Sequence, residues 1–122
     1  MTQSSRQRLG KWGEEVAAHY LAARGHQILE TNHRTPYGEI DIITQMDGVT
    51  VFVEVKTRAS STLGAPEISV THRKQMHMLQ SAEYYIQQHA QGNETWRIDV
   101  IAIQRTKPDQ PPEITHFENA IS

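Results

Sequence analysis

The chain has no cysteine, so disulfides and thiolate-held metals are excluded and a reducing compartment is expected. No apolar run approaches the roughly 18 residues that a membrane-spanning helix needs. The opening Met1-Thr2-Gln3-Ser4-Ser5-Arg6 lacks the apolar core of a secretory signal, so the expectation is a cytoplasmic protein with no membrane partner. There is no G-x-x-x-x-G-K-[ST] loop and no nucleophilic-serine motif, which leaves ATP-driven and acyl-transfer chemistry without support. Seven histidines are present, but no two stand four apart as in a helical zinc pair, and His72 and His77 would fall about 140° apart round a helix. Repeats, low-complexity stretches and long linkers are also missing.

An excess of charge of one sign is lacking too: 12 Lys+Arg against 14 Asp+Glu give a net charge of −2. Any phosphate-binding surface must therefore be local. Arg6, Arg8 and Lys11 gather near one end, Lys56 and Arg58 follow one another, and Arg73 and Lys74 are adjacent. The fold decides whether they make a patch or an evenly charged surface. With 122 residues, 37% of them apolar, a single domain over residues 1–122 with one core is expected.

What is present centres on two stretches, Gly38-Glu39-Ile40-Asp41-Ile42-Ile43 and Phe52-Val53-Glu54-Val55-Lys56-Thr57, separated by Asp47-Gly48. Asp-Gly between alternating segments is a strong two-residue hairpin signal. If Met46 and Val49 flank the turn, Asp41 lies opposite Glu54 and Glu39 opposite Lys56, all four on one face. The other face is then apolar, with Ile40, Ile42, Val53 and Val55. Directly opposed carboxylates cost a hairpin a few tenths to about 1 kcal/mol. A hard divalent ion such as Mg²⁺ or Mn²⁺ relieves that repulsion and takes oxygen ligands from one or two carboxylates, here Asp41 and Glu54, with the Val55 carbonyl available as a third donor. Lys56 lies two residues past Glu54, roughly 6.5 Å along the strand, within reach of a water or a scissile phosphate. That is a phosphodiester-hydrolysis constellation. The alternative is a solvated face on which Glu39 and Lys56 pair and the two other acids are simply wet.

Along the rest of the chain, Leu9, Trp12, Val16, Ala17, Tyr20 and Leu21 recur at helical spacing from Arg6 to Arg24, and Gly25 stops the segment. Glu14 sits on the margin of that stripe, while Gly10 and Gly13 weaken the helix and so predict close approach of another backbone. His26–Thr31 reads as a strand and Thr35-Pro36-Tyr37-Gly38 as a turn, with Arg34 placed either to meet a phosphate or to pair with Glu39. Ala59–Ser69, with Gly64 and Pro66, reads as a loop directly after the Lys56 strand and a candidate substrate loop. Thr71 is a predicted N-cap for a helix to His89 whose inner face uses Gln75, Met78, Leu79, Ala82, Tyr85 and Ile86. Lys74 in its first turn opposes the helix dipole, either as a phosphate partner or as a solvated lysine. Gly92-Asn93 ends this helix. Trp96–Gln104 reads as a central strand on which Asp99 looks like another active-face acid, and Glu113–Glu118 as an edge strand.

The array Glu14, Asp41, Glu54-Val55-Lys56 resembles the PD-(D/E)xK nuclease superfamily. The closer match is the bacterial YraN-like family of predicted endonucleases, which is similar to archaeal Holliday junction resolvases. The likeness runs from Gly10-Lys11-Trp12-Gly13-Glu14 through Asn32-His33-Arg34, Gly38-Glu39-Ile40-Asp41 and Val53-Glu54-Val55-Lys56-Thr57-Arg58 to Lys74-Gln75 and Arg97-Ile98-Asp99-Val100. The superfamily's eponymous proline is absent, since Ile40 precedes Asp41. The resemblance implies a restriction-endonuclease-like α/β fold, a mixed sheet flanked by helices in the order α-β-β-β-α-β(-β). It also implies a Mg²⁺- or Mn²⁺-dependent endonuclease on DNA, in which Asp41 and Glu54 bind metal, Lys56 assists the chemistry and Glu14 completes the acidic cluster. Arg34, Arg58 and Lys74 are the candidate nucleic-acid contacts. Symmetric cutting of two strands would suit a homodimer. Two readings stand beside this one: a nucleic-acid-binding or adaptor protein of the same fold with little or no turnover, and RNA as the substrate.

Overall fold

A computed structural model describes residues 3–59, 70–89 and 95–121. The elements are α1 (Ser5–Ala23), β1 (Gln27–Thr35), β2 (Gly38–Met46), β3 (Val49–Arg58), α2 (His72–His89), β4 (Thr95–Gln104) and β5 (Glu113–Ile121). They build a five-stranded mixed sheet of order β1-β2-β3-β4-β5, antiparallel except for the β3–β4 pair. The expected α/β fold and element order are therefore present. The parallel pair needs a crossover, which α2 supplies.

Local chemistry fixes the helix ends. Ser4 and Gln7 form a reciprocal capping box at the start of α1, and Gly25 leaves the helix at φ +93°, where a glycine is unstrained. Thr71 caps α2 as predicted, its Oγ1 accepting the Lys74 N–H at 3.2 Å. Gly92-Asn93, the predicted stop, and all but the first residue of the Ala59–Ser69 loop lie outside the described residues.

Both faces of the sheet are apolar. Ala17 and Leu21 of α1 pack on Ile42, Val51, Val53, Ile101 and Ile103. Ala82 and Tyr85 of α2 pack on Ile40, Ile43, Phe52, Ile98 and Val100. This corrects the expectation of one apolar and one acidic hairpin face. A strand in a parallel pair is covered on both sides, and five consecutive residues of β3 are buried. Ile40 is the second correction, because it joins the α2 side while Ile42 joins the α1 side. Strict alternation would put them together, so β2 changes face at Asp41.

Asp99 is also corrected. It is fully buried and takes part in a polar knot at the other end of α1. Arg97 Nε and Nη2 donate to it at 2.9 and 3.2 Å, His116 Nε2 lies 2.7 Å away, and the Asn119 N–H donates at 2.9 Å. Burial alone would raise its pKa, but these hydrogen bonds hold it below the ordinary carboxylate value. The Asn119 bond also explains why β5 outruns the predicted edge strand. The ladder slips between Val100↔Phe117 and Ile98↔Ile121, and Asp99 captures the N–H that the slip releases. Nearby, buried His26 contacts Thr44 Oγ1 at 2.7 Å.

Burial, followed by the charges of His116 and Arg97, lowers the pKa of His26. Its folded value lies below its unfolded one, so the unfolded chain takes up the extra proton and stability falls as the pH drops through about 6.5. His26→Gln keeps a partner for Thr44 but removes the titration. In urea unfolding between pH 5 and 7.5, the variant should lose less stability on acidification than wild type; equal losses would show that His26 plays no part.

Candidate active site: an acidic cluster where two strands part

The β2–β3 hairpin forms as its turn dictates. Asp47 (φ 50°) and Gly48 (φ 80°) both take positive φ, as the Asp-Gly turn requires, and Met46 faces Val49. The ladder runs to Ile42↔Val53 and stops. One step further, the Val55 N–H is not bonded to a β2 carbonyl but donates to Asp41 Oδ2 at 2.8 Å. A strand residue sends its N–H and C=O toward the same neighbour, so the Val55 carbonyl leaves toward the same opening.

β2 is irregular on its other side as well. Asn32 on β1 holds φ 51°, a left-handed conformation that asparagine tolerates better than most residues. It stands between the paired residues Thr31↔Ile42 and His33↔Ile40, opposite the point where β2 changes face. Its side-chain amide donates to Glu14 Oε1 at 2.9 Å and to Glu39 Oε1 at 3.0 Å. Glu14 arrives from α1, which can lie close on β3 because residue 13 is glycine. A Cβ there would overlap the Thr57 side chain. The expected close approach is thus found at Gly13, though to the Thr57 side chain and not to a backbone, and it is not found at Gly10, whose Cβ position is open.

One carboxylate oxygen from each of Glu14, Glu39 and Asp41 lies within 4.8 Å of the others. Ligand oxygens round a Mg²⁺-sized ion sit roughly 3–4 Å apart, so this all-oxygen set fits a hard divalent cation after small adjustments. Asp41 is pushed up to about 8, chiefly by burial, then by the charge of Glu54, with Glu14 adding to it; the Val55 N–H pulls the other way. Glu54 is nearly buried and its Oε1 lies 3.1 Å from Lys74 Nζ.

The sequence-predicted residues therefore divide. Glu14, Asp41, Glu54 and Val55 come together. Lys56 follows Glu54 on the same strand, opposite Ala102; it is half-buried and has no ion-pair partner among the described residues. The Glu39–Lys56 pair of the solvated reading does not form, because β2 and β3 have already separated. Glu39 instead meets Asn32 and, at 3.9 Å, an exposed Arg34. Lys74 turns to Glu54, so the ion pair explains its place in the first turn of α2. Arg58 closes β3, exposed, and its carbonyl accepts the Arg105 N–H at 3.0 Å. Sequence reasoning missed Glu39 as the third member of the cluster, although its place two residues before Asp41 was a signal. Asn32 was marked only as part of the Asn32-His33-Arg34 stretch of the family resemblance, with no role.

Comparison with known proteins places this cluster in a recognisable sequence. A family model described as "Uncharacterised protein family UPF0102" matches residues 13–103. A UPF0102 protein of Alkaliphilus oremlandii is 41% identical over 115 residues, covering 93% of this chain and 97% of its own. One from Thermodesulfovibrio yellowstonii is 46% identical over 112 residues, covering 92% and 94%. One from Dehalococcoides mccartyi is 40% identical over 117, covering 96% and 95%. No helix among the described residues is long and apolar enough to cross a membrane.

The raised pKa of Asp41 has a definite sign. The folded value, about 8 against 3.8 for the free group, means the folded chain binds the extra proton, so stability is lost as the pH rises from about 4 through 8. Asp41→Asn keeps an acceptor for Val55 and removes the charge. In EDTA, its urea midpoint should exceed that of wild type above pH 8 and converge with it near pH 5. A wild-type midpoint no lower than the variant's at pH 8.5 would contradict this account.

Proposed function

Since the chain belongs to the uncharacterised protein family UPF0102, whose name assigns no activity, we propose from the site itself that it is a divalent-metal-dependent endonuclease of the PD-(D/E)xK type, hydrolysing DNA phosphodiester bonds in the cytoplasm. The observation that carries this reading is the gathering of Glu14, Glu39 and Asp41 at the strand break, with Glu54 close enough to raise the pKa of Asp41. Like charges gathered this closely repel one another, and a cation would offset that cost.

In this reading Asp41, Glu14 and Glu39 hold Mg²⁺ or Mn²⁺, with Glu54 and the Val55 carbonyl as adjoining donors. A bound divalent ion supplies Lewis-acid polarisation and a more acidic water. Hydrolysis joins a water oxygen to phosphorus and breaks one backbone P–O bond, and the water's proton passes to the leaving oxygen. Lys56, two residues past Glu54 on β3, would act by orienting the water and stabilising the charge that builds on the phosphoryl oxygens. Lys74 screens Glu54. Two strands cut symmetrically would call for a two-fold dimer.

The second reading, a binding or adaptor protein with little turnover, draws on the same Lys74–Glu54 contact, because that ion pair already neutralises one donor. Lys56 separates the two readings. Lys56→Met should lower turnover by roughly 10²-fold or more, the scale of removing one electrostatic interaction from the transition state, with DNA affinity nearly unchanged. The assay is a Mg²⁺ and Mn²⁺ titration against duplex, single-stranded, flap and four-way-junction DNA, with RNA alongside. No cleavage of any substrate by wild type would overturn the nuclease, and an equal loss of binding and cleavage in the variant would reduce Lys56 to a phosphate anchor.

A further inference from the structure

One concavity of the molecule lies away from the acids. It is a cleft of about 660 Å³ lined by Ser5, Arg6, Arg8, Leu9, Trp12, Ala59 and Arg105. Three exposed arginines and a partly buried tryptophan line it, and among the described lining residues there is no carboxylate. In a chain of net charge −2, three guanidiniums with no carboxylate among the described lining residues are a local departure that composition does not explain. Among the described residues Arg8 is tied to neutral oxygens, Gln3 O at 2.8 Å and Ser5 Oγ at 3.3 Å, and neither offsets its charge.

The fold explains how the cleft arises. Leu21 packs near Val51 and Gly13 lies against Thr57, so α1 runs antiparallel to β3 and its first turns overhang the carboxyl end of that strand. Arg105 follows β4 at the same edge, held there by its N–H to the Arg58 carbonyl. Crevices outside the carboxyl ends of parallel strands are favoured ligand sites in open α/β sheets. Trp12 and Glu14 leave α1 on opposite flanks of its sheet-facing side. Arg8 is six residues from Glu14, roughly 9 Å along the axis, and the helix is about 10 Å across. The cleft and the acids thus sit on either side of one helix end, a span of some four base-pair steps at about 3.4 Å each.

We infer that this arginine cleft is a second nucleic-acid contact, binding backbone phosphates of the DNA flanking the reacting position. Guanidiniums suit phosphate in fork geometry, and Trp12 offers a flat edge to sugar or base. The inference rests on the proposed nuclease reading for its choice of polyanion but not for its test, which measures binding without turnover.

The experiment is fluorescence anisotropy of the full chain with a labelled 20-base-pair duplex and the matching single strand, in EDTA, over a range of salt. Arg6→Gln/Arg8→Gln/Arg105→Gln should bind the duplex on the order of tenfold more weakly, and its slope of log affinity against log salt should be shallower by roughly 2 to 3, about 0.9 for each phosphate no longer neutralised. Arg6→Gln/Arg105→Gln leaves the Arg8 bonds at the start of α1 intact and should give about two thirds of that slope change. Arg24→Gln, beyond the other end of α1 and over the Tyr20 ring, should bind as wild type. A triple variant with unchanged affinity and slope would overturn the inference, as would a wild type that binds phosphatidylserine vesicles but not DNA. Loss of binding in the arginine variants together with no cleavage by wild type would leave the cleft standing and remove the nuclease.

Discussion

A single substitution of hydrogen-bond partners organises the site: the Val55 N–H gives up a strand carbonyl for the carboxylate of Asp41. A buried amide must be satisfied somewhere, and here the side chain that satisfies it also ends the ladder. Once β2 and β3 part, a gap opens in mid-sheet into which three elements deliver acids. Glu14 comes from α1, admitted by the bare Cα of Gly13; Glu39 and Asp41 come from β2, and Glu54 from β3. Asn32 ties the first two together with one amide. If Asp41 lost its carboxylate geometry, the Val55 N–H would be orphaned and the acids would have no common centre.

Two aspartates of the sheet, Asp99 fully buried and Asp41 half-buried, are treated in opposite ways. Asp99 receives two arginine nitrogens, a histidine and a backbone N–H, and its pKa falls. Asp41 receives one N–H and faces Glu54 and Glu14, and its pKa rises. The first is a satisfied structural charge that pins the slipped β5 strand to β4. The second is a carboxyl held in an opening among other acids, with little to stabilise its charged form, the pattern expected where a fold keeps a destabilising group for use.

Much of this was legible in the sequence because it is local. Asp47-Gly48 set the hairpin register, which placed Asp41 beside Glu54; the Thr71 cap and the stripe from Trp12 to Leu21 located both helices. Less local features were not legible. The left-handed backbone at Asn32 and the change of face at Asp41, which puts Ile40 on the α2 side, are anticipated by no alternation rule. Lys74 reaches Glu54 across 20 positions of sequence, and Arg105 meets Arg6 and Arg8 only because α1 overhangs the sheet edge. Asp99 was misread because period two gives a face but not the partners on it. The residue types of the site could be read, but the break that gathers them depends on tertiary structure.

The central proposal is that these acids form one cation site and that Asp41, its pKa raised by burial and by Glu54, gives up a proton when the ion binds. Calorimetric titration of Mn²⁺ at pH 7, repeated in buffers of different ionisation enthalpy, tests it most directly. One ion should bind per chain with release of close to one proton, and both the release and most of the affinity should disappear in Asp41→Asn. Binding that releases no proton, or that is the same in the variant, would contradict the account.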